Sequence, residues 1–237
     1  MADQTNNQTS SQKVTGLAAV EMAKHPKGGK YNTIDDMSMI EITVKKSRFI
    51  AVAFHVETIE EVRQKLGTLR KSNAGAKHIP YAYMLGPDFS VGRNNDDEEP
   101  AGSAGDPIYA AIKAAGMTNI LIAVVRYFGG IELGKSKLTS TYNAAATECI
   151  NNAKKYRMRF CGFYTLKVPY SEFAKLGKLV DMKNLPVIEK NFDDAMPMLK
   201  VAIPADKSNE ATEDVKSRIQ GGVAVSRVGE GYYRFPW

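Results

Sequence analysis

The sequence predicts an α+β protein of two domains. Three observations carry this. Strand-like alternation and helix-like periodicity interleave along the chain without any internal repeat. The stretch from Phe160 to Val228 has the element order βαββαβ. The chain has 237 residues, room for one large or two small domains at roughly 100–200 residues each.

Residues 1–30 are polar and read as a flexible tail, with a short helix conceivable over Val14–Ala23 and a linker at His25–Lys30. Ile40, Ile42 and Val44 alternate with polar residues, and Ile50, Val52 and Phe54 repeat the pattern, predicting two strands. Thr58 and Glu61 form a capping box before the helical stripe Ile59, Val62, Leu66 and Leu69. A hairpin follows: Pro80–Leu85, a turn at Gly86-Pro87-Asp88, then Phe89–Gly92. The loop Arg93–Gly105 leads to a helix near Pro107 with Ile108, Ala111, Ile112 and Ala115 inward, ended by Gly116. Asn119–Arg126 is apolar on both faces and reads as a central strand. Gly129–Gly134 opens a long helix whose inner stripe is Leu138, Tyr142, Ala145 and Cys149.

The second domain continues with strand Phe160–Val168 and helix Ser171–Met182, with Phe173, Leu176 and Val180 inward. Strands Val187–Phe192 and Met198–Ile203 flank a turn at Asp193-Asp194. A helix Asp206–Ile219 and a strand Val223–Val228 close the βαββαβ, or ferredoxin-like, order. The expected division is a tail over 1–30, a first domain over 31–156 and a second over 157–237.

Composition excludes several classes. Hydrophobic residues make up 43% and charged residues 24%, so the chain can build a core. No apolar run nears the ~20 residues of a membrane span, and the first residues lack the basic start and apolar core of an export signal. Two cysteines, Cys149 and Cys161, exclude a disulfide scaffold or cysteine zinc site and suit a cytoplasmic protein. There is no DNA-specific motif.

The +6 net charge is unevenly placed. Residues 126–159 are basic (Arg126, Lys135, Lys137, Lys154, Lys155, Arg157, Arg159), whereas residues 88–106 are acidic (Asp88, Asp96, Asp97, Glu98, Glu99, Asp106). Gly129-Gly130-Ile131-Glu132-Leu133-Gly134-Lys135-Ser136 matches G-x-x-x-x-G-K-S between a strand and a helix, where backbone N–H groups and Lys135 favour an anion. Against NTP hydrolysis stand its late position, the absence of a following strand ending in aspartate, and Glu132 inside the loop. The acidic loop, with Asp96, Asp97 and Glu99, has three readings: oxygen ligands for magnesium or calcium, a general acid/base pair, or a turn that caps the next helix. His78 beside Tyr81 and Tyr83 reads as a strand-edge histidine or a proton shuttle. Arg126-Tyr127-Phe128 and Lys154–Phe160 interleave cations with aromatics, as in single-strand nucleic-acid binders, or as a core flanked by solvated lysines.

Four ordered segments resemble the IMPACT/YigZ family: Lys45–Ala51; Ala76 and His78 before Tyr81-Ala82-Tyr83; Asp96-Asp97-x-Glu99-Pro100-Ala101-Gly102-Ser103-Ala104-Gly105-x-Pro107-Ile108; and Asn119 through Arg126-Tyr127-Phe128-Gly129-Gly130-Ile131-x-Leu133-Gly134. The resemblance covers about residues 31–155. It implies a first domain like domain IV of elongation factor G, a ribosomal-protein-type βαβ fold. It implies a ferredoxin-like second domain like that factor's domain V. It also implies an association with translation through RNA or ribosome contact. Eukaryotic members carry an extra N-terminal domain that restrains a starvation-kinase pathway, for which the expected tail is too short. The chain departs from the family pattern at Glu98 (usually glycine), at Ser136-Lys137 (usually a glycine pair) and at Thr139-Ser140-Thr141.

The leading expectation is a non-enzymatic protein that binds RNA or the ribosome, with Arg48, Arg126, Lys135 and Lys137 on phosphates, the glycines and Ser136 lining the loop, and Tyr127 stacking. Asp96, Asp97 and Glu99 would order their loop or hold a cation. The alternatives are a magnesium-dependent hydrolase or nucleotide binder in the same cleft, and a protein-interaction module using the tail or the second domain's open sheet. All require the acidic and glycine-rich loops to converge at one edge of the first domain.

Overall fold

The computed structural model describes residues 29–192 and 196–237. The conceivable helix over Val14–Ala23 and the turn at Asp193-Asp194 lie outside the described residues. The elements in order are β1 (Lys30–Ile34), β2 (Met37–Val44), β3 (Ser47–His55), α1 (Ile59–Ser72), β4 (Tyr81–Leu85), β5 (Val91–Asn95), α2 (Gly105–Ala114), β6 (Ile120–Tyr127), α3 (Lys135–Asn152), β7 (Lys155–Lys167), α4 (Tyr170–Met182), β8 (Val187–Asn191), β9 (Met198–Pro204), α5 (Ser208–Arg218) and β10 (Ala224–Pro236). They build the expected two-domain α+β architecture.

The first sheet has the order β2-β3-β6-β4-β5, all antiparallel. β6 is the middle strand, and its alternation divides the domain into layers. Ile120, Ile122 and Val124 join Phe49, Ala51 and Ala53 under α2 and α3. Leu121, Ala123 and Val125 face the other way, with Val52, Phe54 and Tyr83 under α1. A strand covered on both faces must be apolar on both, which is why β6 reads as a continuous hydrophobic run. The capping box on α1 is formed: Glu61 N donates to Thr58 Oγ1 at 3.2 Å and the Glu61 carboxylate accepts from Thr58 N. Ile59, expected inward, is the first residue of α1 and is exposed. On α3 all four expected inner residues are buried, among them Cys149, whose thiol burial pushes above its ordinary pKa.

The second sheet has the order β10-β7-β9-β8, with α4 and α5 on one face. β7 runs longer than its apolar run suggests. It starts at Lys155, and on the edge opposite β10 its first half pairs with β1 and its second with β9. β1 is therefore a strand of the second sheet, although it precedes the whole first domain. β10 continues to Pro236, well past Val228, through a bulge between Arg227 and Gly229 that breaks the alternation. β5 starts later than expected, because the turn extends through Phe89, whose φ is 59°.

Candidate functional site

The acidic loop spends its carboxylates on its own architecture. Asp96 accepts from the N–H groups of Gly102 (2.9 Å), Ala104 (3.0 Å) and Gly105 (2.8 Å). It thereby caps α2, which starts two residues before Pro107. Burial raises the Asp96 carboxyl, but these N–H groups and the nearby charge of Lys135 outweigh it and hold its pKa below the ordinary value. Asp97 takes both its oxygens to Arg70 Nη2 at 2.7 Å and also accepts from Ile79 N. Burial raises this carboxyl too, and Arg70 and the backbone bond prevail and lower it. The Asp97 carbonyl meets His78 Nδ1 at 2.8 Å, so His78 is a buried strut beside Arg126. Pro100 is exposed, and its carbonyl accepts from Ser103 N.

Glu99 is the link to the glycine-rich loop. Its side chain is 2% exposed, and Oε1 accepts from Arg126 Nη1 at 2.5 Å and from Tyr142 Oη at 2.6 Å. The Arg126 guanidinium lies beside the rings of Phe49 and Phe128. The Tyr142 phenol, buried and next to the Glu99 carboxylate, has its pKa raised well above normal. The two loops therefore converge, as the sequence reading required. The junction is a desolvated ion pair, and Arg126 is not available to an external phosphate as expected. The oxygens of Asp96 and Asp97 are likewise committed. Among the described residues no three His, Cys, Asp or Glu side chains are placed to hold a metal ion. This donor set does not fit magnesium.

The exposed part of the junction is cationic. Gly129 N donates to Ser47 Oγ, and Gly129 sits so close to the β2–β3 turn that a Cβ would overlap the Lys46 carbonyl group. That turn is Lys45-Lys46 alone, since Val44 pairs directly with Ser47. Both lysines have positive φ, 45° and 66°, in a position normally given to Asn-Gly. Beyond Gly129 the loop turns through Gly130 and Gly134 (φ 82° and 76°) into α3, whose N-cap residue, Gly134, has no side chain to offer the first N–H groups. Lys135, Ser136 and Lys137 are exposed there. An open groove of about 820 Å³ runs from Lys135 and Ser136 along Thr139, Ser140 and Asn143 to Pro107 and Ala110 of α2.

Not every expected site residue is in this cluster. Tyr127 faces α1, across the sheet from Arg126, and donates to Asn73 Oδ1 at 2.9 Å. Arg48 lies over the Tyr127 ring and pairs with Glu41 through two bonds. Lys45, Lys46 and Lys77, outside the expected set of site residues, are further exposed cations of this end. Lys77 lies over the exposed Phe128 ring. The signal for the first two was present in Lys45-Lys46 between two alternating strands, a hairpin tip written with lysines.

Comparison with known proteins agrees with these segments. The family model for the Impact N-terminal domain matches residues 45–150. The IMPACT family member YigZ of Escherichia coli (strain K12) is 30% identical over 189 residues, 79% of this chain and 92% of that protein. The IMPACT family member in the pol 5′ region of Thermus thermophilus is 34% identical over 146 residues, 62% of this chain and 78% of that protein. A solved structure described as that of a hypothetical protein superposes with a TM-score of 0.56 at 26% identity, covering 84% of this chain and 98% of that one. No helix among the described residues is long and apolar enough to cross a membrane.

Proposed function

The chain belongs to the IMPACT family, and from that premise we propose that it is a non-enzymatic modulator of translation that binds RNA or the ribosome through the loop end of its first domain. The observation that carries this reading is the Lys45-Lys46 turn seated on Gly129. Left-handed backbone costs a non-glycine residue roughly 1–2 kcal/mol. Asparagine and glycine would relieve that cost, yet two lysines occupy the turn. Strain kept at an exposed position points to function there. The turn adds two charges at the Gly129 end of the loop whose other end carries Lys135 and Lys137 at the N-terminus of α3, against the single acid Glu132 within the loop, and a phosphate backbone is the polyanion such a surface fits. The buried Glu99–Arg126 pair and the Asp96 cap fix the floor on which these loops stand.

A magnesium-dependent hydrolase in this cleft is less well supported, because the carboxylates it needs are engaged by backbone N–H groups and by Arg70.

The test is a filter-binding titration of ribosomes and structured RNA over a salt series, comparing the parent with Lys45→Asn/Lys46→Gly. That pair removes two charges and relaxes the turn. The expected result is higher stability with weaker binding and a salt slope smaller by roughly 1.5–2. No binding at low salt, or a variant that binds as the parent does, overturns the reading.

A further inference from the structure

The face of the second sheet turned away from α4 and α5 carries features that the first-domain reading does not use. In β7 the residues Tyr164 and Leu166 face the helices, so Arg157, Arg159 and Phe163 face outward. Their β10 partners put Phe235 opposite Arg157, Tyr233 opposite Arg159 and Gly229 opposite Phe163. The rings form a row. Phe163 lies over Gly229 and Gly231, Tyr233 is 6.3 Å from Phe163, and Phe235 is 6.3 Å from Tyr233. The guanidinium of Arg159 lies over Phe235, and that of Arg157 over Trp237. None of the four aromatic residues is buried, and Trp237 is 58% exposed.

A row of half-buried rings ending in an exposed tryptophan leaves apolar surface in water unless something stacks on it, and the cations between them choose the partner. Lys30 stands beside Arg159 across the β1–β7 pair, and Lys200 lies further along the same face. Of the neighbouring acids, Asp206 is bonded to Arg159 and Glu189 is opposite Lys200. Rings with guanidinium groups between them match unpaired bases on a phosphate chain, whereas a duplex hides its base faces. An acidic protein surface would satisfy the cations but leave the rings without stacking partners.

We propose that this open face binds single-stranded RNA, with bases stacked on Tyr233, Phe235 and Trp237 and phosphates held by Arg157 and Arg159. This rests on the RNA-binding reading above and assigns it a second surface and a single-stranded substrate.

Trp237 is the only tryptophan of the chain, so its fluorescence reports from the site itself. The full chain is titrated with a labelled 12-nucleotide oligouridylate, and with the same strand in duplex with oligoadenylate, at low salt. Trp237 emission and RNA anisotropy are followed together. The single strand should quench Trp237 and the duplex should not. Phe235→Leu should weaken single-strand binding roughly 10-fold, within the range for one stacked base. Arg157→Glu, at an exposed position, should weaken it at least ~5-fold with no loss of melting temperature. Oligouridylate binding that leaves Trp237 unquenched, or that is indifferent to both substitutions, overturns this proposal. If that binding is lost in Lys45→Asn/Lys46→Gly, the first-domain reading survives alone. Absence of any anisotropy change with the single strand overturns this proposal, whereas the first-domain reading falls only if ribosomes and structured RNA also fail to bind.

Discussion

Replacing Glu99 by glutamine tests the idea that the junction of the two loops is held by a desolvated charge pair. Glutamine is nearly isosteric and its Oε1 can still accept from Tyr142, so the loss is chiefly one negative charge. Arg126 would then stand in a site where its side chain is 7% exposed, with Phe49 and Phe128 beside it and its Nε already without a hydrogen-bond partner among the described residues. Removing one member of a buried pair costs roughly 3–5 kcal/mol. At ~2–4 °C per kcal/mol for a protein of this size, the melting temperature should fall by about 10 °C. Thermal and urea unfolding followed by circular dichroism would measure both. The double substitution Glu99→Gln/Arg126→Met removes the stranded cation and should recover much of the loss. A Glu99→Gln chain within ~1 kcal/mol of the parent would refute the reasoning.

Four further outcomes follow from the same geometry. The Asp96 and Asp97 carboxyls have folded pKa values below the unfolded value, so their stabilisation is present above about pH 4 and is lost as the pH falls through the folded values; acid titration should show this, and Asp96→Asn should flatten it. Glu98 has φ 68°, so Glu98→Gly should raise stability by roughly 1 kcal/mol in urea titration. Gly129→Ala should destabilise the first domain by about 1–3 kcal/mol and loosen the Lys45-Lys46 turn, whereas Gly130→Ala, strained in φ but facing open space, should cost only about 1 kcal/mol. Cys149 and Cys161 are both buried, and burial pushes the Cys161 thiol up to about 12, so an aromatic disulfide reagent should label neither until the chain unfolds.

What was legible in the sequence was whatever local pattern decides. The Thr58–Glu61 box, the two-faced apolar run of β6 and the inner stripe of α3 each follow from periodicity within a few residues. β1 was not legible, because Lys30–Ile34 is short, looks polar at its start, and pairs with residues more than a hundred positions away. The second half of β10 was hidden by Gly229, Gly231 and a bulge. These same glycines make room for the ring of Phe163 over β10, so the features that obscured the strand also shaped its outer face. At the site, charge counting found the two blocks but not their use. A carboxylate that caps a helix and one that stabilises a buried arginine look alike in a run of Asp and Glu. The departure at Glu98 from the pattern the resemblance implies gains a physical meaning only from the backbone, where a φ of 68° is one that glycine adopts without strain.

The seat of β1 has a consequence for how this polypeptide is made and cut. Its ladder bonds are to residues 155–159, with one further backbone bond from Thr118 N to the Asn32 carbonyl, so when β1 is synthesised early, its strand partner has not yet been translated. A fragment starting at residue 155 would lack that neighbour and bare half of a long edge, inviting adhesion between copies. Whoever wishes to express the second half by itself should graft residues 29–35 back onto it.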